Sequence, residues 1–380
     1  MTAVTRREVL RDLAVTTAAL SAAGVAWPVL AQDEVVIPFT DLPAAAPGAP
    51  PQRMPPSLQT FYTPNDEFFA VQHYAVPAVD VATHRLQIGG LIDRPFELSM
   101  DDLRKRPRME QVVGFECSGN NNARANPLVG NARWAGTGLA GLLRAAGLKS
   151  TAKEIVFFSA DRNSEEVSHG GNVATVDQHF ARSLSVDDAM RPEMLLAYEM
   201  NGAPLPPGHG GPVRLIVPGW YGVANVKWLQ RIHVQDTRFM GKFMAREYVT
   251  LRGTDMAGET IWAETSVARM RLKSFIGRVT RRGSICTITG VALTDGTPLK
   301  AVEVRVDDGQ WKPTTLSKEN TQYSWKMFTY TWQDPHPGEH RLVSRVIDMN
   351  GAIQPEAADP NKKTRWENNE QFVRRLVIPS

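Results

Sequence analysis

Apolar residues between positions 61 and 244 follow the spacing of short strands and, in places, that of helices. Closely spaced apolar residues bounded by glycine, proline or polar residues are typical of buried strands. Such runs occur at residues 85–90, 154–159, 194–200 and 213–217, and Asn201-Gly202 predicts a tight turn after the third. The pattern therefore predicts several strands in this part of the chain.

Short helices are predicted among these strands. Ser99 followed by Asp102 is a capping-box pattern, and Ser185 with Asp188 repeats it. A third helix is predicted to end at Gly147, a residue type common at helix ends. Its apolar positions at helical spacing are Leu139, Leu142, Leu143 and Ala146. Residues 61–244 are accordingly expected to form a mixed α/β unit.

The pattern changes near residue 245. Short alternating segments follow, for example at residues 285–291, 302–306 and 341–347, separated by glycine, Asp-Gly and proline. Strands at this spacing suggest a β-sandwich over residues 245–380. The expected fold class is α+β, and 380 residues are enough for two domains.

The first 60 residues differ from both units. Arg6-Arg7 precedes a moderately apolar stretch at residues 13–26 and a possible cleavage site at residues 29–31. This layout predicts a twin-arginine export signal over residues 1–31 and a periplasmic location. A basic helix start or a membrane anchor is the alternative, although the stretch is short for a membrane span. Residues 32–60 are rich in proline and are expected to form an extended arm.

Composition excludes some partners. A net charge of +3 is too small to suggest nucleic acid or an anionic membrane, and 42% hydrophobic content is ordinary for a globular protein. Two cysteines cannot form a disulfide framework. A single bond between Cys117 and Cys286 remains an alternative.

Cys117 is the residue with the most chemical information. It lies in the run Gly114-Phe115-Glu116-Cys117-Ser118-Gly119-Asn120. A soft thiolate selects soft transition metals, and small residues let the backbone approach a bulky cofactor. A lone cysteine is more often a small buried hydrophobe, so the interpretation depends on the segments that follow.

Three later strings change that interpretation. They are L-A-Y-E-M-N-G at residues 196–202, H-G-G-P-V-R at residues 209–214 and V-K-W-L at residues 226–229. In this order they resemble the sulfite oxidase family of molybdenum enzymes, over about residues 60–375. The resemblance implies that the Cys117 thiolate binds molybdenum beside the dithiolene of a molybdopterin cofactor. It also implies that residues 245–380 form an immunoglobulin-like domain that mediates a homodimer.

The resemblance assigns further residues to the cofactor. His209, Arg214 and Lys227 match contacts to the pterin phosphate, and His73 matches another pterin contact. Forked guanidinium donors and a point ammonium charge both suit a phosphate. Trp134 matches an aromatic wall of the substrate pocket, with a core tryptophan as the alternative. A solvated surface charge is the alternative for Arg214 or Lys227 taken alone.

The chain departs from the family at the substrate-binding positions. Family members have arginines where this chain has Val71 and Asn122, and a tyrosine where it has Phe180. Each hydrogen bond to a charged group contributes about 1.5–3 kcal/mol, so sulfite is expected to bind weakly. Arg124 or Arg133 is a possible substitute cation. A pocket of different shape, lined by His169, His179 and Arg182, is a further possibility.

The expected function is a periplasmic molybdenum oxidoreductase of the sulfite dehydrogenase type, with a small anionic or oxo sulfur substrate. No C-x-x-C-H string occurs, so no haem is expected on this chain and an external carrier such as a c-type cytochrome is expected to accept electrons. The missing arginines leave two alternatives, an S-oxide or N-oxide reductase and a sulfane dehydrogenase subunit. A non-catalytic binding module is the remote alternative.

Overall fold

Antiparallel strands form most of the secondary structure. The computed structural model describes residues 33–42, 60–120 and 128–380. The first half of its strands are β1 (Val35–Val36), β2 (Leu86–Gly90), β3 (Phe96–Leu98), β4 (Arg108–Glu116), β5 (Val129–Gly138), β6 (Glu154–His169), β7 (Asn172–Ser185), β8 (Leu195–Met200), β9 (Ala203–Pro204), β10 (Arg214–Ile216) and β11 (Leu229–Gln235). The others are β12 (Val249–Met256), β13 (Glu259–Ser266), β14 (Lys273–Arg282), β15 (Ile285–Leu293), β16 (Leu299–Val306), β17 (Lys312–Pro313), β18 (Thr315–Leu316), β19 (Lys326–Gln333), β20 (Gly338–Asp348), β21 (Lys362–Lys363) and β22 (Val373–Ile378).

Three short α-helices occur within the described ranges: α1 (Met100–Lys105), α2 (Leu139–Ala146) and α3 (Val186–Ala189). The predicted capping box of α1 is confirmed, because the side chains of Ser99 and Asp102 each accept a hydrogen bond from the backbone N–H of the other. The predicted end of α2 is also confirmed, since Gly147 has a φ of 73° and donates to the last carbonyls of the helix. The Ser185 side chain caps α3 as expected.

Two sheets in the first half of the chain position the candidate site. One has the strand order β10-β8-β5-β4, with β9 added to β8, and the other has the order β3-β2-β11-β6-β7. Their neighbouring strands are antiparallel except for the parallel pair β2 and β11. The four strands predicted here are confirmed, but the described part of this region contains far more strand than helix. The expectation of a mixed α/β unit is therefore corrected to a mainly β unit with short helices. The broader fold class α+β still fits.

The second half of the chain forms two further antiparallel sheets around a common core. Their strand orders are β1-β14-β15-β19-β18 and β17-β16-β20-β22. Val279 and Ile288 from the first sheet share a buried cluster with Val304, Leu342 and Val346 from the second. The strands predicted in this region are confirmed. A separate sheet has the order β13-β12-β21, with β12 and β13 before these strands in the chain and β21 between β20 and β22. The immunoglobulin-like assignment stays a prediction.

The described part of the N-terminal arm lies against the second half of the chain. β1 pairs antiparallel with β14, and Ile37 and Phe39 are buried in the core of the two C-terminal sheets. The proposed signal over residues 1–31 and most of the proline-rich segment lie outside the described residues. None of the helices in the described ranges has the length and apolar character needed to cross a membrane.

The two cysteines lie in different parts of the fold. Cys286 is buried in the core of the C-terminal sheets, whereas Cys117 is half-buried at the end of β4. The structure, which describes both residues, has no disulfide between them. The alternative of a Cys117–Cys286 bond is therefore wrong.

Candidate active site

A cavity of about 660 Å³, part of which is open to solvent, adjoins Cys117. Residues from six parts of the chain line it, among them Phe69, Val71, His73, Cys117, Asp161, Phe180, His209, Arg214, Val223, Asn225, Lys227 and Tyr248. Strand ends and connecting loops of both N-terminal sheets supply most of these residues, so the fold brings together positions distant in sequence.

Cys117 is the first residue after β4 and its backbone is fixed on both sides. Its N–H donates to the carbonyl of Leu128 at 2.9 Å, and its own carbonyl accepts from Asn120 N–H at 2.8 Å. These bonds form a tight turn at the point where the strand ends. The thiol is thereby held at the edge of the cavity by backbone geometry.

Arg214 is a buried cation on the cavity wall. The residue is 5% exposed, and its two terminal nitrogens donate to the carbonyls of His209 at 2.8 Å and Asn225 at 2.9 Å. Burial lowers its pKa to about 9. Its Nε is buried without a hydrogen-bond partner within the described part of the chain. A buried donor of this kind is costly unless a ligand satisfies it.

Lys227 adds a second cation to the same wall. Burial, and then the charge of Arg214, lower its pKa to about 7. Its Nζ lies 4.2 Å from the ring centre of Trp228 and donates weakly to the carbonyl of Gly208 at 3.4 Å. Asp161 opposes part of this shift, while burial raises the pKa of Asp161 itself. The wall therefore binds anions best when Lys227 is protonated.

The turn that carries His209 requires a glycine beside Lys227. Gly210 has a φ of 103°, and a Cβ placed on it would lie 2.8 Å from the Cβ of Lys227. His209 itself is 8% exposed, and its Nε2 donates to the carbonyl of Asn65 at 2.6 Å. Burial is the main cause of its lowered pKa. The imidazole is thus a neutral group oriented by one carbonyl.

His73 lines the cavity together with two aromatic residues, Phe180 and Tyr248. Its ring stacks on Phe180 at 4.7 Å between centres, and its Nε2 lies 2.6 Å from the hydroxyl of Tyr248. Burial, followed by the charges of Lys227 and Lys242, lowers the pKa of His73 to about 4. Burial also raises the pKa of Tyr248 to about 12. Both groups are therefore uncharged near neutral pH.

Comparison with known proteins agrees with this arrangement. Residues 73–243 match the family model described as "Oxidoreductase molybdopterin binding domain". Mouse (Mus musculus) mitochondrial sulfite oxidase is 30% identical over 336 residues, covering 80% of this chain and 60% of that protein. Arabidopsis thaliana sulfite oxidase is 26% identical over 361 residues, covering 84% of this chain and 89% of that protein. The chain belongs to the sulfite oxidase family.

A solved structure supports the same fold. The sulfane dehydrogenase SoxCD from Paracoccus pantotrophus superposes with a TM-score of 0.71 at 22% sequence identity. The match covers 95% of this chain and 92% of that chain. The present chain spans about 60% of the length of the mouse sulfite oxidase.

Membership of the sulfite oxidase family implies a molybdopterin cofactor, and the cavity residues fit one. Cys117 offers a thiolate for a soft metal at one edge. The buried Nε of Arg214, which lacks a partner in the described ranges, and the ammonium of Lys227 suit a phosphate. The predicted cofactor residues His73 and His209 line the same cavity. Their roles as cofactor ligands stay predictions.

Two predicted residues of the substrate pocket, Phe180 and Val71, also line the cavity. Trp134 does not. It is fully buried and stacks on Phe115, which separates it from the cavity. The prediction that Trp134 forms the pocket wall is wrong, because both faces of β5 are buried and its side chain packs into the core.

Of the other candidate substrate residues, those that the structure describes do not line the cavity. Arg124, like Asn122, lies outside the described residues. Arg133 points away, since its guanidinium covers the ring of Tyr62 and lies 3.8 Å from Glu110. Arg182 is buried and donates to the carbonyls of Phe243 and Val267. His179 and His169, also proposed for a reshaped pocket, do not line the cavity.

Sequence reasoning missed Tyr248, Asp161 and Asn225, which all line the cavity. Tyr248 follows the change of pattern near residue 245, and nothing in its local sequence indicates a site. Asn225 lies next to the V-K-W-L string, and its side chain accepts from the N–H of Val217 at 2.7 Å. Proximity to that string was the only signal available for it.

Proposed function

We infer that this member of the sulfite oxidase family is a molybdopterin-dependent oxidoreductase for a small sulfur compound. The supporting observation is that Cys117 and the two cations Arg214 and Lys227 line one cavity. A metal ligand and two phosphate-binding cations that line one space suit a cofactor that has both groups. When bound, the cofactor supplies two-electron oxo transfer, and the protein supplies binding and orientation.

The residues of the chain have distinct roles in this proposal. Cys117 binds the metal through its thiolate. Arg214 and Lys227 bind the pterin phosphate, and His209 orients the turn next to them. His73 contacts the pterin and, stacked on Phe180, limits the space left for substrate. Phe180 and Val71 give that space apolar walls, because neither side chain forms hydrogen bonds.

The substrate end of the cavity favours a compound less dependent on cationic contacts than sulfite. Val71, Phe180 and Val223 give this part of the wall no charge. We therefore rank sulfite as a weak substrate and propose a sulfane sulfur compound as the second candidate. The solved relative is a sulfane dehydrogenase, which supports this choice. The reverse reaction, reduction of an S-oxide or N-oxide, is tested alongside.

Export and electron transfer belong to the same proposal. The paired arginines at residues 6–7 support export by the twin-arginine route to the periplasm. An external carrier such as a c-type cytochrome is proposed to accept the electrons, since the chain has no haem-attachment string. The two C-terminal sheets are proposed to be an immunoglobulin-like domain that forms the dimer contact.

Steady-state assays of the purified protein from a host that makes molybdopterin test this proposal. We expect one molybdenum per chain and turnover of a sulfane or sulfite substrate with an artificial acceptor. Sulfoxide and N-oxide reduction with a reduced dye are measured in parallel. Cys117→Ser is expected to abolish turnover in whichever direction is found. A protein that contains neither metal nor pterin would indicate a non-catalytic binding module instead.

A further inference from the structure

The loop that presents Cys117 is held by residues from the C-terminal part of the chain. Lys273, at the start of β14, reaches Glu116, the residue before Cys117, with Nζ 2.6 Å from Oε1. The two side chains are 0% and 1% exposed. The same ammonium donates to the carbonyl of Asn368 at 2.8 Å and to that of Asn120 at 3.4 Å. One buried cation thereby connects the loop to two other segments.

A chain of hydrogen bonds connects this ion pair to the backbone of Cys117. Glu116 Oε1 also accepts from the side-chain amide of Asn120 at 2.9 Å. The amide oxygen of Asn120 accepts from the N–H of Leu128 at 2.9 Å. The carbonyl of Leu128 then accepts from the N–H of Cys117 at 2.9 Å. A displacement of Glu116 therefore moves every group that fixes the cysteine backbone.

A second C-terminal contact covers the same loop. The N–H of Glu367 donates to the carbonyl of Ser118 at 2.8 Å. Trp366 lies directly over Gly119, where an added Cβ would be 2.9 Å from the indole ring. The indole also stacks on Tyr248, with 4.4 Å between ring centres. The C-terminal segment thus contacts both the cysteine loop and Tyr248, which lines the cavity.

Stability alone is a poor explanation for a fully buried ion pair. Removing two charges from water has a large cost, and apolar residues of similar volume are often as stable in the same place. We propose that Lys273 is a positioning residue for Cys117, whose ion pair with Glu116 holds the loop so that the thiolate faces the metal. This inference rests on the proposed function, because it takes Cys117 as the metal ligand.

The decisive variant removes both charges and keeps the shapes. Glu116→Gln with Lys273→Met leaves no unpaired buried charge, so the fold is expected to survive. Asp41→Asn with Arg374→Met is the matched control, because that ion pair, 3.0 Å long with side chains 13% and 4% exposed, joins the arm to β22. Glu116→Asp is the second variant, since it keeps the charge and shortens the side chain by one methylene.

Hydrogen exchange of the cofactor-free protein gives the first readout. Without the ion pair, the amides of Cys117 and Asn120 are expected to exchange about tenfold faster, the equivalent of one lost hydrogen bond. Exchange in β15 should stay as in the wild type. In the control pair, only the amides near β1 and β22 should exchange faster. In Glu116→Asp the same amides should also exchange faster than in the wild type, but by a smaller factor than in the double variant.

X-ray absorption at the molybdenum edge of the loaded protein gives the second readout. The double variant is expected to show one sulfur ligand fewer at the metal, because the thiolate is no longer held toward it and only the dithiolene sulfurs remain. The control pair should keep the wild-type spectrum. Wild-type exchange and a wild-type spectrum in both Glu116 variants would overturn the inference, as would equally faster exchange throughout the chain. If Cys117→Ser keeps the wild-type sulfur count, the proposed function fails instead.

Discussion

His73 and Tyr248 are hydrogen-bonded to each other on the cavity wall, with Nε2 2.6 Å from the phenol oxygen. The two residues are 175 positions apart in the chain. Burial lowers the pKa of His73 to about 4 and raises that of Tyr248 to about 12, so the pair is uncharged over the intervening pH range. This neutral pair therefore adds no charge to the cavity wall.

We expect His73 to make the cofactor-free protein sensitive to acid. The unfolded chain binds a proton at His73 near pH 6.5, whereas the folded chain does so only near pH 4. The free energy of unfolding should therefore fall as the pH drops from 6.5 to 4. Urea denaturation at several pH values measures this slope, and His73→Gln should flatten it.

Exposed His169, at the end of β6, provides the control for this prediction. His169→Gln should leave the slope unchanged, because its side chain is exposed and does not line the cavity. An identical slope in His73→Gln and the wild type would mean that His73 is protonated in the folded protein at higher pH than burial implies.

Capping residues in the sequence predicted where the short helices begin and end. The family motifs predicted several of the residues that line the cavity. Ser99 with Asp102 fixes a helix start within one turn, so sequence alone was sufficient there. Tyr248 could not be found, because its partner His73 is distant in sequence and no pattern connects them. Trp134 was misplaced because β5 is buried on both faces and shows no alternation.

Anion binding at the cation wall is expected to weaken as the pH rises through about 7. Burial lowers the pKa of Lys227 to about 7, so its positive charge is lost above that pH while Arg214 remains charged. Sulfate is a suitable probe, since its charge is constant between pH 6 and 9. Calorimetric titration of the cofactor-free protein should show affinity falling as the pH increases.

Lys227→Met should bind sulfate more weakly at pH 6 and show little pH dependence up to pH 8. Lys326→Met is the matched control, because burial also lowers the pKa of Lys326, to about 8, but its ammonium donates to carbonyls in the C-terminal half. A pH dependence retained in Lys227→Met would assign the titration to another group.

Val71→Arg is expected to lower the Michaelis constant for sulfite. Val71 lines the cavity and is 41% exposed, so a longer side chain has room to enter from the open side. One new hydrogen-bonded charge contributes about 1.5–3 kcal/mol, equivalent to a decrease of about tenfold to a hundredfold. Adding Asn122→Arg should lower the constant further.

Val76→Arg adds the same charge nearby without touching the cavity. Val76 is 45% exposed and is not among the lining residues. It should leave the Michaelis constant within about twofold of the wild type, because exposed charges act weakly across solvent. Equal improvement in both variants would attribute the effect to net charge, and no improvement in Val71→Arg would mean that sulfite binds elsewhere in the cavity.

Trp134→Phe should reduce stability and leave substrate binding unchanged. The indole is fully buried, stacks on Phe115 and donates weakly to the carbonyl of Val113 at 3.4 Å. Its truncation should lower the free energy of unfolding by about 1–3 kcal/mol. The Michaelis constant should stay within about twofold of the wild type, because Phe115 lies between Trp134 and the cavity.

Phe180→Leu is the comparison for Trp134→Phe, since Phe180 lines the cavity and stacks on His73. Phe180→Leu should change the Michaelis constant, because the smaller side chain enlarges the substrate space and removes the stacking contact with the His73 ring. Denaturation curves and steady-state kinetics of the two variants separate the cases. If Trp134→Phe instead had a raised Michaelis constant and wild-type stability, the indole would line the substrate pocket, and its placement in the core would be contradicted.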